Sequence, residues 1–282
     1  MQTIKNHAKA QLAAGELALG MGLRQARTVD IAQIAQTAGF DWLFIDMEHN
    51  SMDIDTAAQI CAAALVGGVT PIIRVPGHEP FHATRLLDTG AMGIVVPHVS
   101  TPEQAMQIAN MCRFPPAGGR SIPGMLPQVG FQALPIADVV RAINDEVLVV
   151  AMIETREGLE NADAIAAVPG IDVLLVGTTD LAADLGITGQ LGHTRVAAAI
   201  DAVCAACHRH GKVPGVGGVY DEALMTAYVQ KGARFILSGS DLAFLMTGAK
   251  SRSQMLRAIP LGQAEEVLAQ RTGRRVAIDI DP

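Results

Sequence analysis

Short apolar runs recur near residues 20, 44, 72, 94, 150, 174, 215 and 236, and stretches with helical spacing of their apolar residues lie between them. Strands buried on both faces read as unbroken Val/Ile/Leu runs, the pattern of a parallel sheet. Val149-Val150-Ala151-Met152-Ile153 and Val173-Leu174-Leu175-Val176 show it most clearly, joined by a helical stretch over 158–168. Parallel neighbours need a crossover long enough to hold a helix. Strand alternating with helix through a chain of 282 residues therefore predicts an α/β fold, a single-domain (β/α)8 TIM barrel. An open doubly wound sheet fits less well, because no G-x-G-x-x-G follows the first run and Gly215-Val216-Gly217-Gly218 is too short a signal for a nucleotide site.

Two segments break the alternation. Residues 112–135, which include Phe114-Pro115-Pro116-Ala117-Gly118-Gly119-Arg120, form a long Pro/Gly-rich insertion, and such loops in compact domains usually serve as lids or interface segments. The barrel is expected over 1–260, with 261–282 as a tail that packs on a neighbouring subunit.

Half the residues are hydrophobic but only 4% are aromatic, so the core must be built from Ala, Val, Leu and Ile. A net charge of −7 argues against nucleic acid or an anionic membrane as partner. No apolar run approaches the ~18 residues of a membrane span. The first residues carry some positive charge with no apolar block behind them, and four cysteines fit a reducing compartment, so a cytoplasmic location is expected. Cys204-Ala205-Ala206-Cys207-His208 spells the haem-attachment pattern C-x-x-C-H. Without an export signal, it reads as small residues of a barrel-wall helix.

Barrel enzymes collect their chemistry at the carboxyl ends of the strands. Here those ends carry Asp46, Glu48 and His49, then Arg74, His98, Glu154 and, through a short turn, Asp180. Taken singly, each has a plain structural alternative. Arg74 suits an ion pair, His98 a hydrogen-bonded wall residue, and Asp46 and Asp88 helix caps or rim ion pairs. The functional reading gains weight because several strands independently end in charge at one rim. Glu154 and Asp180 supply two hard oxygen ligands, which suit a divalent cation such as Mg²⁺, Mn²⁺ or Co²⁺ whose other positions go to water and substrate. No lysine stands at a strand end where an imine-forming aldolase would need one.

Trp42-Leu43-Phe44-Ile45-Asp46-Met47-Glu48-His49, Pro71-Ile72-Ile73-Arg74-Val75, Leu86-Leu87-Asp88-Thr89-Gly90-Ala91, the Phe114-Pro115-Pro116 loop with Arg120, Ile153-Glu154-Thr155 and Gly177-Thr178-Thr179-Asp180-Leu181 occur in order and at matching spacing over residues 17–245. This set resembles the HpcH/HpaI aldolases, metal-dependent class II enzymes related to 2,4-dihydroxyhept-2-ene-1,7-dioate aldolase. The resemblance implies reversible cleavage of a 4-hydroxy-2-oxo acid to pyruvate, or a close 2-oxo acid analogue, and an aldehyde through a metal-stabilised enolate. It places Glu154 and Asp180 on the metal and Arg74 on the keto oxygen, and makes His49, with Asp46 and Asp88 around it, the acid/base group. Gly177, Thr178 and Thr179 fall on the substrate carboxylate, with Met152 and His98 beside it, and the assembly implied is a homohexamer, a dimer of trimers. Two positions depart from the usual pattern: Met152 stands where many members have glutamine, and Gly177-Thr178-Thr179-Asp180 where many have Gly-Pro-small-Asp. His98 is similar to a histidine of macrophomate synthase, so an oxaloacetate-decarboxylating enzyme using the same enolate is the alternative. A non-catalytic barrel that binds a keto acid comes third.

Overall fold

Each apolar run forms a strand. The structure, a computed structural model, describes residues 5–260. Its strands are β1 (Ala18–Leu23), β2 (Trp42–Asp46), β3 (Thr70–Arg74), β4 (Gly93–Val96), β5 (Leu148–Ile153), β6 (Val173–Gly177), β7 (Val213–Gly217) and β8 (Phe235–Ser240). They pair in sequence order and close into a barrel, with β1 parallel to both β2 and β8. The expected (β/α)8 fold is what the chain forms.

The helices are α1 (His7–Ala13), α2 (Ile31–Thr37), α3 (Ile54–Gly67), α4 (Pro80–Asp88), α5 (Pro102–Cys112), α6 (Ile136–Glu146), α7 (Arg156–Glu160), α8 (Ala162–Ala167), α9 (Thr178–Asp184), α10 (Thr194–His210), α11 (Glu222–Gln230) and α12 (Asp241–Arg257). Their ends follow capping chemistry. Asp53 accepts the Thr56 N–H at 2.8 Å to open α3, and Thr101 with Gln104 forms a reciprocal capping box on α5. Gly68 and Gly211, at φ +75° and +62°, end α3 and α10 in the left-handed conformation that glycine adopts without strain. The helix expected over 158–168 is split at Asn161, whose side-chain amide donates to the Ser100 carbonyl at 2.8 Å.

Side chains of alternate strand residues fill the barrel: Ala18 from β1, Trp42 and Phe44 from β2, Ile72 from β3, Val95 from β4, Leu148, Val150 and Met152 from β5, Val173 and Leu175 from β6, Phe235 and Leu237 from β8. A larger apolar layer lies between sheet and helices. Trp42 is fully buried, stacked on Phe235 at 4.0 Å, and donates its indole N–H to the Ala18 carbonyl at 3.0 Å. A Cβ on Gly20 would sit 2.2 Å from the Trp42 ring, so glycine there makes room for the indole.

Helix α1 has no counterpart in the sequence reading, being only seven residues long. Its Ala8 and Leu12 join the barrel interior, and the Ala8 N–H donates to Thr70 Oγ1 at 3.0 Å, at the start of β3. Asn6, its cap, bonds the Met92 and Glu146 carbonyls at 3.0 and 2.8 Å, just ahead of β4 and β5. The amino end of the barrel is thereby plugged.

By its contacts the chain divides into Met1–Leu242, which holds the barrel, and Ala243–Pro282. The described part of the second unit is the remainder of α12 and residues 258–260; no residue of α12 is buried. The tail expected over 261–282 lies outside the described residues. The insertion over 112–135 contains one short 3-10 turn, Pro127–Val129, and is held by its own buried side chains. Phe114, Leu126 and Val129 enter the outer apolar layer, and Gln128 donates to the Leu87 and Ala91 carbonyls at 2.6 and 3.1 Å. The C-x-x-C-H residues lie on α10, where burial pushes the Cys204 and Cys207 thiols up to about 11 and 12, away from thiolate reactivity. Among the described residues no helix is long and apolar enough to cross a membrane.

Overpacking a filled core costs about 1–3 kcal/mol. Gly20→Ala is expected to lower stability by about that amount, read from the urea midpoint, and by much less in a Trp42→Leu background.

Candidate active site

With α1 closing one end, the cleft opens at the carboxyl ends of the strands. It encloses about 320 Å³ and is lined by Asp46, His49, Arg74, Met152, Glu154, Gly177, Thr178, Thr179 and Asp180 among others. Period-two geometry explains the convergence: Asp46 continues the inward set Trp42, Phe44, Arg74 follows Ile72, and Glu154 follows Leu148, Val150, Met152.

Asp46 and Arg74 are register partners on β2 and β3. Arg74 Nε and Nη2 donate to Asp46 Oδ1 and Oδ2 at 3.0 and 2.7 Å, a bidentate pair. Nη1 reaches Glu48 Oε2 at 2.9 Å, and the guanidinium lies 5.0 Å from the Phe44 ring centre. Asp46 Oδ1 also accepts the Glu48 and His49 backbone N–H groups at 3.1 and 3.3 Å, fixing the turn that carries His49. Burial pushes the Asp46 carboxyl up, but Arg74 and these donors outweigh it and hold it below its ordinary value. It is therefore ionised. His49 itself is half exposed, with Nε2 3.6 Å from Glu48 Oε2.

Glu154 is buried, and its Oε2 accepts the His98 N–H at 3.0 Å. The His98 ring spans two carboxylates, Nδ1 3.4 Å from Glu154 Oε2 and Nε2 3.3 Å from Glu48 Oε1. It does so from a left-handed backbone, φ +52°, which histidine tolerates better than most residues. Burial pushes the Glu154 carboxyl up; the His98 N–H and charge pull it down, Asp180 pushes it up again, and the net direction is upward. Asp180 sits in the first turn of α9. Gly177 lies against Glu154: a Cβ there would stand 2.5 Å from Oε1.

The carboxylates thus fall into two sets. Asp46 and Glu48 share Arg74, whereas among the described residues neither Glu154 nor Asp180 forms an ion pair with lysine or arginine. Two neighbouring hard oxygen donors short of positive charge fit a divalent cation. Among the described residues no cluster of three or more His, Cys, Asp or Glu side chains could hold a metal, so such an ion would draw its other ligands from substrate and water.

Several residues named from the sequence sit differently from the expectation. Asp88 closes α4 and does not line the cleft; it receives Arg120 Nη2 at 2.6 Å, and Arg120 stacks over Phe114 at 4.3 Å. Asp88 stands at the end of α4, five residues before β4 begins at Gly93. The Thr178 hydroxyl is spent on the Gly217 carbonyl at 2.8 Å, leaving its backbone at the cleft. His98 touches Glu154 and Glu48 without lining the cavity, and no residue of 112–135 lines it. Arg24 and Tyr220 do line it and were not singled out from the sequence. The signal for Arg24 was present: it continues the inward parity of Ala18, Gly20 and Gly22 beyond β1.

An eight-stranded α/β barrel with a polar, carboxylate- and arginine-lined cleft at its carboxyl end is the architecture of a barrel enzyme acting on a small anionic substrate. The HpcH/HpaI aldolase/citrate lyase family model matches residues 24–247. A 4-hydroxy-4-methyl-2-oxoglutarate aldolase of Hapsidospora irregularis is 39% identical, covering 94% of this chain and 100% of its own. A 4-hydroxy-2-oxo-heptane-1,7-dioate aldolase of Salmonella arizonae is 34% identical over 88% of this chain and 93% of its own. The crystal structure of an HpcH/HpaI aldolase from Desulfitobacterium hafniense superposes with a TM-score of 0.85 at 32% identity, covering 89% and 97% of the two chains. The chain belongs to the HpcH/HpaI aldolase/citrate lyase family.

Two outcomes test this geometry. Gly177→Ala is compatible with the backbone, φ −86°, yet places a methyl against Glu154. Catalytic efficiency toward whichever substrate the enzyme turns over is expected to fall about 100-fold, the worth of a ~1 Å displacement, and the urea midpoint to fall by an overpacking cost of about 1–3 kcal/mol. Arg74→Met leaves Asp46 buried without its partner and is expected to cost about 3–5 kcal/mol at neutral pH. Because the folded carboxyl lies below its ordinary value of 3.8, that contribution is complete above 3.8 and is lost as pH falls through the lowered value. Urea midpoints taken from neutral pH downward should show wild type and variant converging in acid.

Proposed function

We propose that this chain is a divalent-metal-dependent class II aldolase that reversibly cleaves a 4-hydroxy-2-oxo acid to pyruvate, or a close 2-oxo acid analogue, and an aldehyde. It is a carbon–carbon lyase. The observation that carries this function is the placement, in one cleft, of Asp46 held by Arg74 beside Glu154 and Asp180, which among the described residues form no ion pair with lysine or arginine. Names of the relatives support the substrate class: both are aldolases of hydroxy-oxo dicarboxylic acids.

Glu154 and Asp180 would hold the divalent ion, Mg²⁺, Mn²⁺ or Co²⁺, which when bound supplies Lewis acidity toward the oxygens of the 2-oxo acid. Arg74, already fixed by Asp46 and Glu48, keeps N–H donors for the keto oxygen, where negative charge develops. His49 takes the proton from the C4 hydroxyl as the C3–C4 bond breaks; the electron pair stays with the pyruvate half, and C4 leaves as the aldehyde carbonyl. A proton then returns to C3 to complete the pyruvate methyl. Asp46 holds the turn bearing His49, and buried Met152 excludes water from the floor of the cleft. Gly177, Thr178 and Thr179 offer backbone groups to the substrate carboxylate. Exposed apolar side chains at Ile122, Met125 and Ile136 suit burial in a homo-oligomer, for which we take the hexamer as the working assembly, and a cytoplasmic location fits this chemistry.

His98, bridging Glu48 and Glu154, supports a second activity at the same cleft, decarboxylation of oxaloacetate to the same enolate. The test needs no knowledge of the aldehyde. After treatment with chelator and restoration of Mg²⁺ or Mn²⁺, exchange of the pyruvate methyl protons in D₂O is followed by NMR. Metal-dependent exchange is expected, abolished in Glu154→Gln and slowed in His49→Ala. Absence of exchange with every metal would refute the aldolase assignment, and release of CO₂ from oxaloacetate would then separate the decarboxylase from a barrel that only binds keto acids.

A further inference from the structure

The two oxygens of Glu154 are not equivalent. Oε2 accepts the His98 N–H at 3.0 Å and faces the His98 ring Nδ1 at 3.4 Å. Oε1 forms no hydrogen bond among the described residues and lies toward Gly177, where a Cβ would stand 2.5 Å away. The grip on Oε2 comes from backbone geometry. The chain leaves β4 at Val96 and turns at His98 through a left-handed conformation, φ +52°. That turn aims two successive N–H groups at β5 and its continuation: His98 at the Glu154 carboxylate, and Val99 at the Met152 carbonyl, 3.0 Å away. One residue further on, the Ser100 and Thr155 hydroxyls meet at 2.8 Å, so the segment is fastened to β5 on both sides of Glu154. Histidine and asparagine tolerate a left-handed backbone better than most residues, so the residue type at 98 helps to keep the N–H on target.

We propose that His98 is a positioning residue that confines Glu154 to one-oxygen binding of the divalent ion, and thereby selects a small octahedral ion such as Mg²⁺ over Ca²⁺. This deepens the aldolase assignment and rests on it, because it takes Glu154 and Asp180 as the protein's ligands to the ion. Ca²⁺ accepts carboxylates through one or both oxygens in a flexible shell, whereas Mg²⁺ demands near-ideal octahedral geometry and keeps several waters. A carboxylate free to turn could close on the larger ion with both oxygens. Glu154 cannot do so while Oε2 stays on His98. The ring adds a second hold: its Nε2 stands 3.3 Å from Glu48 Oε1, and the other Glu48 oxygen meets Arg74 Nη1 at 2.9 Å. His98 itself does not line the cleft, and among the described residues no group of three or more His, Cys, Asp or Glu side chains could hold a metal. It therefore acts through Glu154, as outer residues that orient a metal ligand do.

The test is calorimetric titration of Mg²⁺ and of Ca²⁺ into the chelator-stripped full chain, with no substrate present. Wild type is expected to bind Mg²⁺ the more tightly. In His98→Ala the Kd for Mg²⁺ should rise about 10- to 100-fold, the usual worth of a residue that orients a metal ligand, while the Kd for Ca²⁺ rises less, so the preference shrinks. General damage to the site would weaken both ions alike. His98→Asn, which tolerates the left-handed turn, should restore most of the preference. A Ca²⁺-preferring wild type, an unchanged preference in His98→Ala, or no restoration in His98→Asn overturns the role of His98 and leaves the metal assignment standing. Mg²⁺ binding that survives Glu154→Gln overturns both. Should His98→Ala fail to fold, a crystal structure of the wild type with Mn²⁺ decides: an ion on Oε1 with the His98 N–H still on Oε2 supports the proposal, and an ion held by both Glu154 oxygens refutes it.

Discussion

A closed eight-stranded barrel has room inside only for alternate residues of each strand, and that packing constraint extends past the apolar floor to the polar mouth. Trp42, Phe44 and Asp46 form one inward series, Ile72 and Arg74 another, Val150, Met152 and Glu154 a third. The hydrophobic lower members fix the strand registers, and a shift of one residue would turn the charged upper members out of the cleft. Core and site are therefore parts of one pattern. The exception is β8, where the pairing with β1 skips between Leu237 and Ser240; Gly239 and Ser240 both line the cleft there.

Electrostatics then divides this mouth into two halves. In one half Arg74 holds Asp46 bidentately and reaches Glu48, and Arg24 stands 3.8 Å from Asp46, so two carboxylates meet two arginines. Glu154, by contrast, is buried beside Asp180; His98 and the more distant charge of Arg74 relieve it only in part, and its carboxyl rises. Buried charge is costly when unmatched. One half of the cleft is charge-matched by the chain's own arginines, and the other is the half to which the proposed function assigns a divalent ion.

The barrel was legible because its signal is repeated eight times, so uncertainty at any single run mattered little. The inner site residues were legible for a related reason: a charged residue at the end of a Val/Ile run is conspicuous. What escaped was of other kinds. Helix α1 is too short for periodicity to reveal, and its role comes from long-range bonds of Asn6 and Ala8 to the starts of distant strands. Asp88 stands at a helix end, which is positioned by the path of the chain, and in the single chain it meets Arg120. Arg24 follows Gly22-Leu23, a run too glycine-rich to advertise its facing, although its parity with Ala18, Gly20 and Gly22 is readable. The contacts of His98 depend on a left-handed backbone that no residue pattern announced.

The plug formed by α1 and the Trp42–Phe235 stack makes the cleft a blind passage. Whatever binds as two pieces must queue for a single door. Along that passage Arg74, 7% exposed, lies deeper than Arg24, 43% exposed, so on the proposed aldolase reading a 2-oxo acid held by Glu154 and Arg74 would enter before the aldehyde and leave after it. On that reading the order of binding is set at the opposite end of the barrel, by residues that do not line the cleft.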